Sequence, residues 1–244
     1  MRVARLIPPD RLPAVIEAAV GVFVTHGYRR TQVQDIADVL GLAKGTLYGY
    51  AATKEALFAG AVRYGDRLEP LPDNSALPMP APADGELAEL VAGRLAAEIP
   101  DLALTQALAG DRLPSTPGEA AAELSGIVVD LYERLSRNRV AIKLVDRCAP
   151  ELPELGKVWF ETGRGDQMSA IQAYLDSRQR AGLLALPGPV DLVARTTVEL
   201  CVLWGVHCRF DPDPAASPLP YDDATVATTL AAMITRSMNP DGVA

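Results

Sequence analysis

Apolar positions in this chain recur every three to four residues over long stretches, the spacing of one buried helix face, and strand-like alternation is nearly absent. The first stretch opens at Asp10, a residue type that caps helix N-termini, and puts Leu12, Val15, Ile16, Ala19 and Phe23 on one side before Gly27 stops it. A second, short helix is predicted with Thr31 as its cap, Val33, Ile36, Ala37 and Leu40 inward, and Gly41 at its end. A third covers about 43–50. A fourth starts at Thr53 and turns Leu57, Phe58, Ala61, Val62 and Leu68 inward. The expected fold class is all-α.

The texture then changes. Pro70, Pro72, Pro78, Pro80 and Pro82 crowd a segment that neither a helix nor a central strand accepts, so 69–84 reads as a linker or an extended surface loop. Helical periodicity returns over about 85–98, 101–110, 117–148 with a break near Asn138, 153–182, 190–210 and 222–238. The expected organisation is a small N-terminal domain with its connecting helix over 1–68, the Pro-rich joint over 69–84, and a larger helical domain over 85–244.

Composition narrows the classes. Of 244 residues, 49% are hydrophobic and 22% charged, as in folded domains. No run of about 18 apolar residues exists, so no membrane-spanning helix is expected, and no apolar stretch follows Arg2 and Arg5 as a secretion signal would require. Cys148, Cys201 and Cys208 are few and widely spaced, which fits a reducing cytoplasm. With His207 they lack metal-ligand spacing, and Cys201 and Cys208 read as apolar-face thiols; no cofactor and no metal is expected. Nucleophile-elbow, zinc-protease and phosphate-loop patterns are missing, and two histidines offer little acid–base chemistry, so the chain does not read as an enzyme.

The net charge of −8 argues against a partner made of nucleic acid until it is divided by region. Residues 1–64 hold eight basic and five acidic side chains, net +3, and the rest hold 15 and 26, net −11. A basic head on an acidic body suggests that the head meets a polyanion.

The stretch Thr31–Tyr50 supplies the specific signal. Two short amphipathic helices joined at Gly41-Leu42 form a helix-turn-helix pattern, with Leu47 inward against Ile36 and Leu40. Lys44 and Tyr48 lie one turn apart, Thr46 and Tyr50 share a neighbouring face, and the strip offers a cation, hydroxyls and phenols to phosphates and base edges.

Read with its flanks, the segment resembles the DNA-binding domain of the TetR (tetracycline-repressor-like) family. The likeness rests on Ile16-Glu17-Ala18-Ala19, Phe23, Gly27-Tyr28, Thr31, Asp35-Ile36-Ala37, Gly41 to Tyr48, Tyr50 and Lys54-Glu55-Ala56-Leu57, and covers about residues 10–62. It implies a three-helix DNA-binding domain joined by a fourth helix to a ligand-binding and dimerisation domain. Thr31 would then bond a phosphate at the start of the second helix, and Lys44, Gly45, Thr46 and Tyr48 would face the major groove. Tyr50 and Lys54 would grip flanking phosphates, with Gln32, Arg29 and Arg30 as further contacts. Three departures stand out: Ala51 where the family carries an aromatic plug, Ala43 in place of a capping hydroxyl, and Gly49 in the last turn of the recognition helix. They imply a looser domain.

The helix over 190–210 is apolar nearly all round between Val198 and Val206 and needs cover on more than one side. The resemblance implies a homodimer through about 190–210 and 222–238; burial within one chain is the alternative. The expected function is a ligand-responsive transcriptional regulator, a repressor binding a pseudo-palindromic double-stranded operator and released by an apolar small-molecule inducer. The inducer would sit among the helices of 85–182, where Tyr132, Trp159, Phe160, Met168 and Tyr174 are aromatic and thioether candidates without an assigned role. A dimeric helical small-molecule-binding protein without DNA binding is the alternative.

Overall fold

The computed structural model describes residues 11–110, 112–211 and 220–240. The described residues contain no strand, and twelve α-helices account for most of them. These are α1 Leu12–His26, α2 Val33–Val39, α3 Lys44–Leu47, α4 Lys54–Tyr64, α5 Glu86–Glu98 and α6 Ala103–Ala109. They continue as α7 Pro117–Arg137, α8 Arg139–Cys148, α9 Pro153–Gly156, α10 Gly165–Arg180, α11 Val190–Gly205 and α12 Asp223–Ser237. The all-α expectation holds.

The chain forms two compact units. The first runs through α1–α4 to Ala92 and takes in Val140–Trp159; the second comprises Gly93–Arg139 and the described residues from Phe160 on. The first core is a layer of α1 against α4 with α2 and α3 at one end. Val15, Ile16, Ala19 and Phe23 of α1 meet Leu57, Phe58, Ala61 and Val62 of α4, all nearly inaccessible to water. Phe58 is the hub: its ring stands edge-on to Phe23 at 4.9 Å and to Tyr28 at 5.2 Å, an arrangement aromatic quadrupoles favour.

Local chemistry departs from the sequence reading in three places. Thr31 does not cap α2: Gln32 does, its backbone N–H donating to Asp35 Oδ2 at 2.7 Å, the acidic half of a capping box. Asp10, the expected cap of α1, lies outside the described residues. Leu68 is 50% exposed, because α4 ends at Tyr64 and its apolar stripe ends with it. The helix expected over 153–182 carries a π-helical stretch, Lys157–Arg164, between α9 and α10.

The Pro-rich segment is ordered by backbone pairing. Met79 N–H donates to the Tyr50 carbonyl at 2.8 Å, and Ala52 N–H to the Met79 carbonyl at 2.9 Å, a lone parallel bridge. The Met79 side chain is buried over Gly60, where a Cβ would stand 2.9 Å from its Cε and 3.2 Å from Ile16 Cδ1. Bulk therefore reaches this core from the segment after α4, while position 51 stays small.

In the second unit α7 packs along α12 and α11, and α10 along α11. Its core joins Leu124, Val128, Leu131 and Tyr132 of α7 to Leu175 of α10, Ala194, Val198 and Cys201 of α11 and Leu230 and Ile234 of α12. The break expected near Asn138 is present, with α7 ending at Arg137.

Candidate nucleic-acid interface

Gly27 and Gly41 set the directions of α2 and α3. Both have positive φ, +79° and +61°, conformations that cost side-chain-bearing residues energy and let the chain turn sharply after α1 and after α2. The Leu42 N–H donates to the Ala37 carbonyl at 2.9 Å, which closes the turn. Leu47, fully buried beside Ile36, anchors the inner face of α3.

The predicted contact residues divide into three groups. Gln32, Lys44, Gly45 and Tyr48 are exposed, and Thr46 is half-buried beside them. A Cβ built on Gly45 meets nothing within 4 Å, so the protein itself leaves room there. α3 is a single four-residue turn that runs on through Tyr48 as hydrogen-bonded turns, and its cap position, Ala43, has no side-chain hydrogen bond to give.

Thr31 and Tyr50 are placed differently, each 1% exposed. The Thr31 hydroxyl donates to the Gly27 carbonyl at 2.6 Å, closing the turn between α1 and α2. The Tyr50 ring is part of the core, and its carbonyl receives Met79. The reading that both point at phosphates is corrected: both are side chains of the scaffold. Helical spacing put Tyr50 on an outer face, but α3 gives way to turns after Leu47 and the ring lies inward, and Thr31 is held by the turn at Gly27.

Lys54 is half-buried at the start of α4. Its Nζ donates to the Tyr28 carbonyl at 3.2 Å and lies 4.5 Å from the centre of the Tyr28 ring. The Tyr28 hydroxyl donates to Glu55 Oε1 at 3.0 Å. Burial, then that carboxylate, push the Tyr28 phenol well above its ordinary range, so it stays a neutral donor. Tyr28, Lys54 and Glu55 thus tie the loop after α1 to the first turn of α4, where Thr53 Oγ1 accepts from Ala56 N–H.

Two residue sets were not legible as parts of this region. Asp66 accepts from the N–H groups of Val140 and Ala141 at 2.7 and 2.9 Å, capping the first turn of α8. Glu151 accepts from the Arg29 N–H. Both link residues more than seventy positions apart, which no local pattern announces.

The comparisons agree with this geometry. Residues 15–61 match the family model described as bacterial regulatory proteins, tetR family. No curated protein sequence matches the chain. Among solved structures, the chain is similar to the ketosteroid transcriptional regulator KstR2 of Mycobacterium tuberculosis. The TM-score is 0.54 and the identity 17%, over 98% of this chain and 97% of the other. It is also similar to the probable transcriptional regulatory protein RHA5900, with a TM-score of 0.57 at 17% identity, over 96% and 99%. At these identities the structural likeness bears on the fold. Among the described residues, no helix is long and apolar enough to cross a membrane, and no group of three His, Cys, Asp or Glu side chains is arranged to hold a metal.

Proposed function

We propose, for a chain whose N-terminal domain belongs to the tetR family of bacterial regulatory proteins, that it is a cytoplasmic, ligand-responsive repressor acting as a homodimer on double-stranded DNA. The observation that carries the reading is the outer face of α3. Lys44, Gly45, Thr46 and Tyr48 present a cation, a bare backbone and two hydroxyls around a buried anchor, Leu47. A cation and hydroxyls suit phosphate oxygens and base edges, and a glycine admits the close approach that a groove wall demands. Gln32 lies at the exposed start of α2, and Lys54 fixes the loop that carries Arg29 and Arg30. The net +3 of residues 1–64 adds the long-range attraction.

The dimer is proposed through α11 and α12, which expose Leu192, Leu203 and Met233 at 60%, 44% and 59%. Leu192, Thr196, Leu200 and Met233 also line a shallow groove of about 330 Å³ between the two helices. Exposed apolar side chains aligned along a helix pair favour a partner surface. A two-fold axis there would set two reading heads on half-sites about one helical turn, or a multiple, apart. An apolar inducer bound in the second unit would release DNA only by preferring the arrangement that DNA does not bind.

The decisive experiment selects genomic fragments with the full-length chain and measures their affinities by gel shift at low salt. We expect a pseudo-palindromic fragment bound by a dimer of twice 25.9 kDa. Failure of a folded dimer to shift any fragment overturns the DNA-binding reading. Gly45→Ala sharpens the test. The protein has room for the methyl group and alanine is the better helix former, so stability should rise by up to about 1 kcal/mol. Affinity for the selected fragment should nevertheless fall, because the lost space faces the groove.

A further inference from the structure

We infer that Glu151, with Arg147, is a positioning residue for the reading head: it clamps the α1–α2 turn in the orientation that presents α2 and α3 to DNA. The inference rests on the DNA-binding reading above and adds to it a control point outside the helix-turn-helix.

Glu151 ends the 3₁₀ turn Ala149–Glu151 that follows α8, about 120 residues after the turn it touches. Its Oε2 accepts the Arg29 backbone N–H, a group that no helix would otherwise satisfy. Its Oε1 lies 3.5 Å from Arg147 Nη1, one helical turn back. The two side-chain tips close over Gly27: a Cβ there would fall 2.6 Å from Glu151 Oε1 and 2.8 Å from Arg147 Nη1. Gly27 is the positive-φ residue at which the chain leaves α1, and its carbonyl also receives the Thr31 hydroxyl. Cys148, buried one turn before Glu151, lies with its Sγ 3.9 Å from the Phe23 carbonyl near the end of α1.

The clamp therefore bears on the few residues that decide where α2 begins. At its other end α8 is held by Asp66, just beyond α4. Cys148 meets the end of α1, and the tips of Glu151 and Arg147 close over the turn leading into α2. Glu151 also leaves the Arg29 guanidinium uncommitted, because the bond it accepts comes from the backbone.

Charge and position make opposite forecasts, which makes the inference testable. A carboxylate beside Arg29 and Arg30 repels phosphates, so electrostatics alone has Glu151→Ala tighten DNA binding. A clamp has the same change loosen it, by about tenfold for the loss of one charge-assisted hydrogen bond. Glu151→Gln removes the charge and keeps an oxygen that accepts from Arg29, so it should stay within about twofold of the parent chain.

The probe is the strongest-binding double-stranded fragment from the genomic selection, measured by fluorescence anisotropy with full-length protein. If the parent chain binds no fragment, the DNA-binding reading fails before the clamp is tried. If the parent binds, weakening by Glu151→Ala with rescue by Glu151→Gln supports the clamp. Equal or tighter binding by Glu151→Ala overturns it, and so does a Glu151→Gln that falls as far as Glu151→Ala. Should Glu151→Ala not fold, Arg147→Ala takes its place, with several-fold weakening expected and unchanged or tighter binding overturning the inference.

Discussion

In the first unit the core is aromatic and aliphatic, and among its described residues no charged side chain is buried; in the second, Arg178 is 2% exposed inside the packing. Its guanidinium meets Glu123 through Nε and Nη2, both at 3.0 Å, donates to the Ala107 carbonyl at 3.0 Å, and lies 4.6 Å from the centre of the Tyr174 ring. The Tyr174 hydroxyl donates to the same carboxylate at 3.0 Å. A second network gathers Tyr132, Arg139 and Arg209 on Asp223 at the start of α12. Burial works to raise the Asp223 carboxyl, but hydrogen bonds from Arg139 and Tyr132 outweigh it and hold the group below its ordinary range. The head relies on shape with its charges outside, whereas the second unit relies on paired charges within.

The largest expected effect breaks that contrast directly. Glu123→Ala strands the Arg178 guanidinium in the core and should cost about 3–5 kcal/mol in denaturant unfolding of the intact chain. Replacing both partners, Glu123→Leu with Arg178→Met, should restore most of that loss, because the cost lies in the unpaired charge. The corresponding cut in the first unit is Glu69→Ala, which opens the half-exposed Arg63–Glu69 pair. It should cost less than about 1 kcal/mol. Similar losses at the two sites would show that the units do not differ in how they hold charge.

Next in size is Met79→Ala, which sharpens the boundary of the head. Removing a buried thioether that lies over Gly60 should cost about 2–3 kcal/mol. A loss within about 0.5 kcal/mol, the range of surface substitutions, would return 69–84 to the status of a linker. The sequence offered no route to this role: Met79 stands among prolines, and its partners Tyr50 and Ala51 lie across the whole of α4.

That case shows which parts of the molecule a single sequence discloses. α1, α4, α7 and α12 were legible because a buried helix face repeats at short range, and α3 because its turn needs Gly41 and its anchor Leu47. Exposure of Lys44 and Tyr48 followed from the same face. Tyr50 was misread because helical spacing was carried past Leu47, where α3 ends, and Thr31 because its role came with the family resemblance while its hydroxyl closes the turn at Gly27. Glu151, Asp66 and Met79 were invisible because each acts through a contact between distant segments. The pairing of Glu123 with Arg178 has the same origin, since nothing in α7 alone marks Glu123 as other than a surface carboxylate.

The smallest effect separates the units by solvent access at their thiols. Cys148 in the first unit and Cys201 in the second are fully buried, and burial pushes both thiols up to about 12. Cys208, in the 3₁₀ turn after α11, is only half-buried, and its thiol is raised by partial burial and by Asp211. The thiolate is the reactive form, so near neutral pH the native chain should react with a chromogenic disulfide at Cys208 first. Labelling of the other two should follow unfolding, so that their rates report the opening of each unit separately. In Glu123→Ala the rate at Cys201 should rise while that at Cys148 holds, and Met79→Ala should do the reverse. Equal acceleration of both thiols in either variant would mean that the two units open as one, and the contrast between their interiors would then have no consequence for how the chain unfolds.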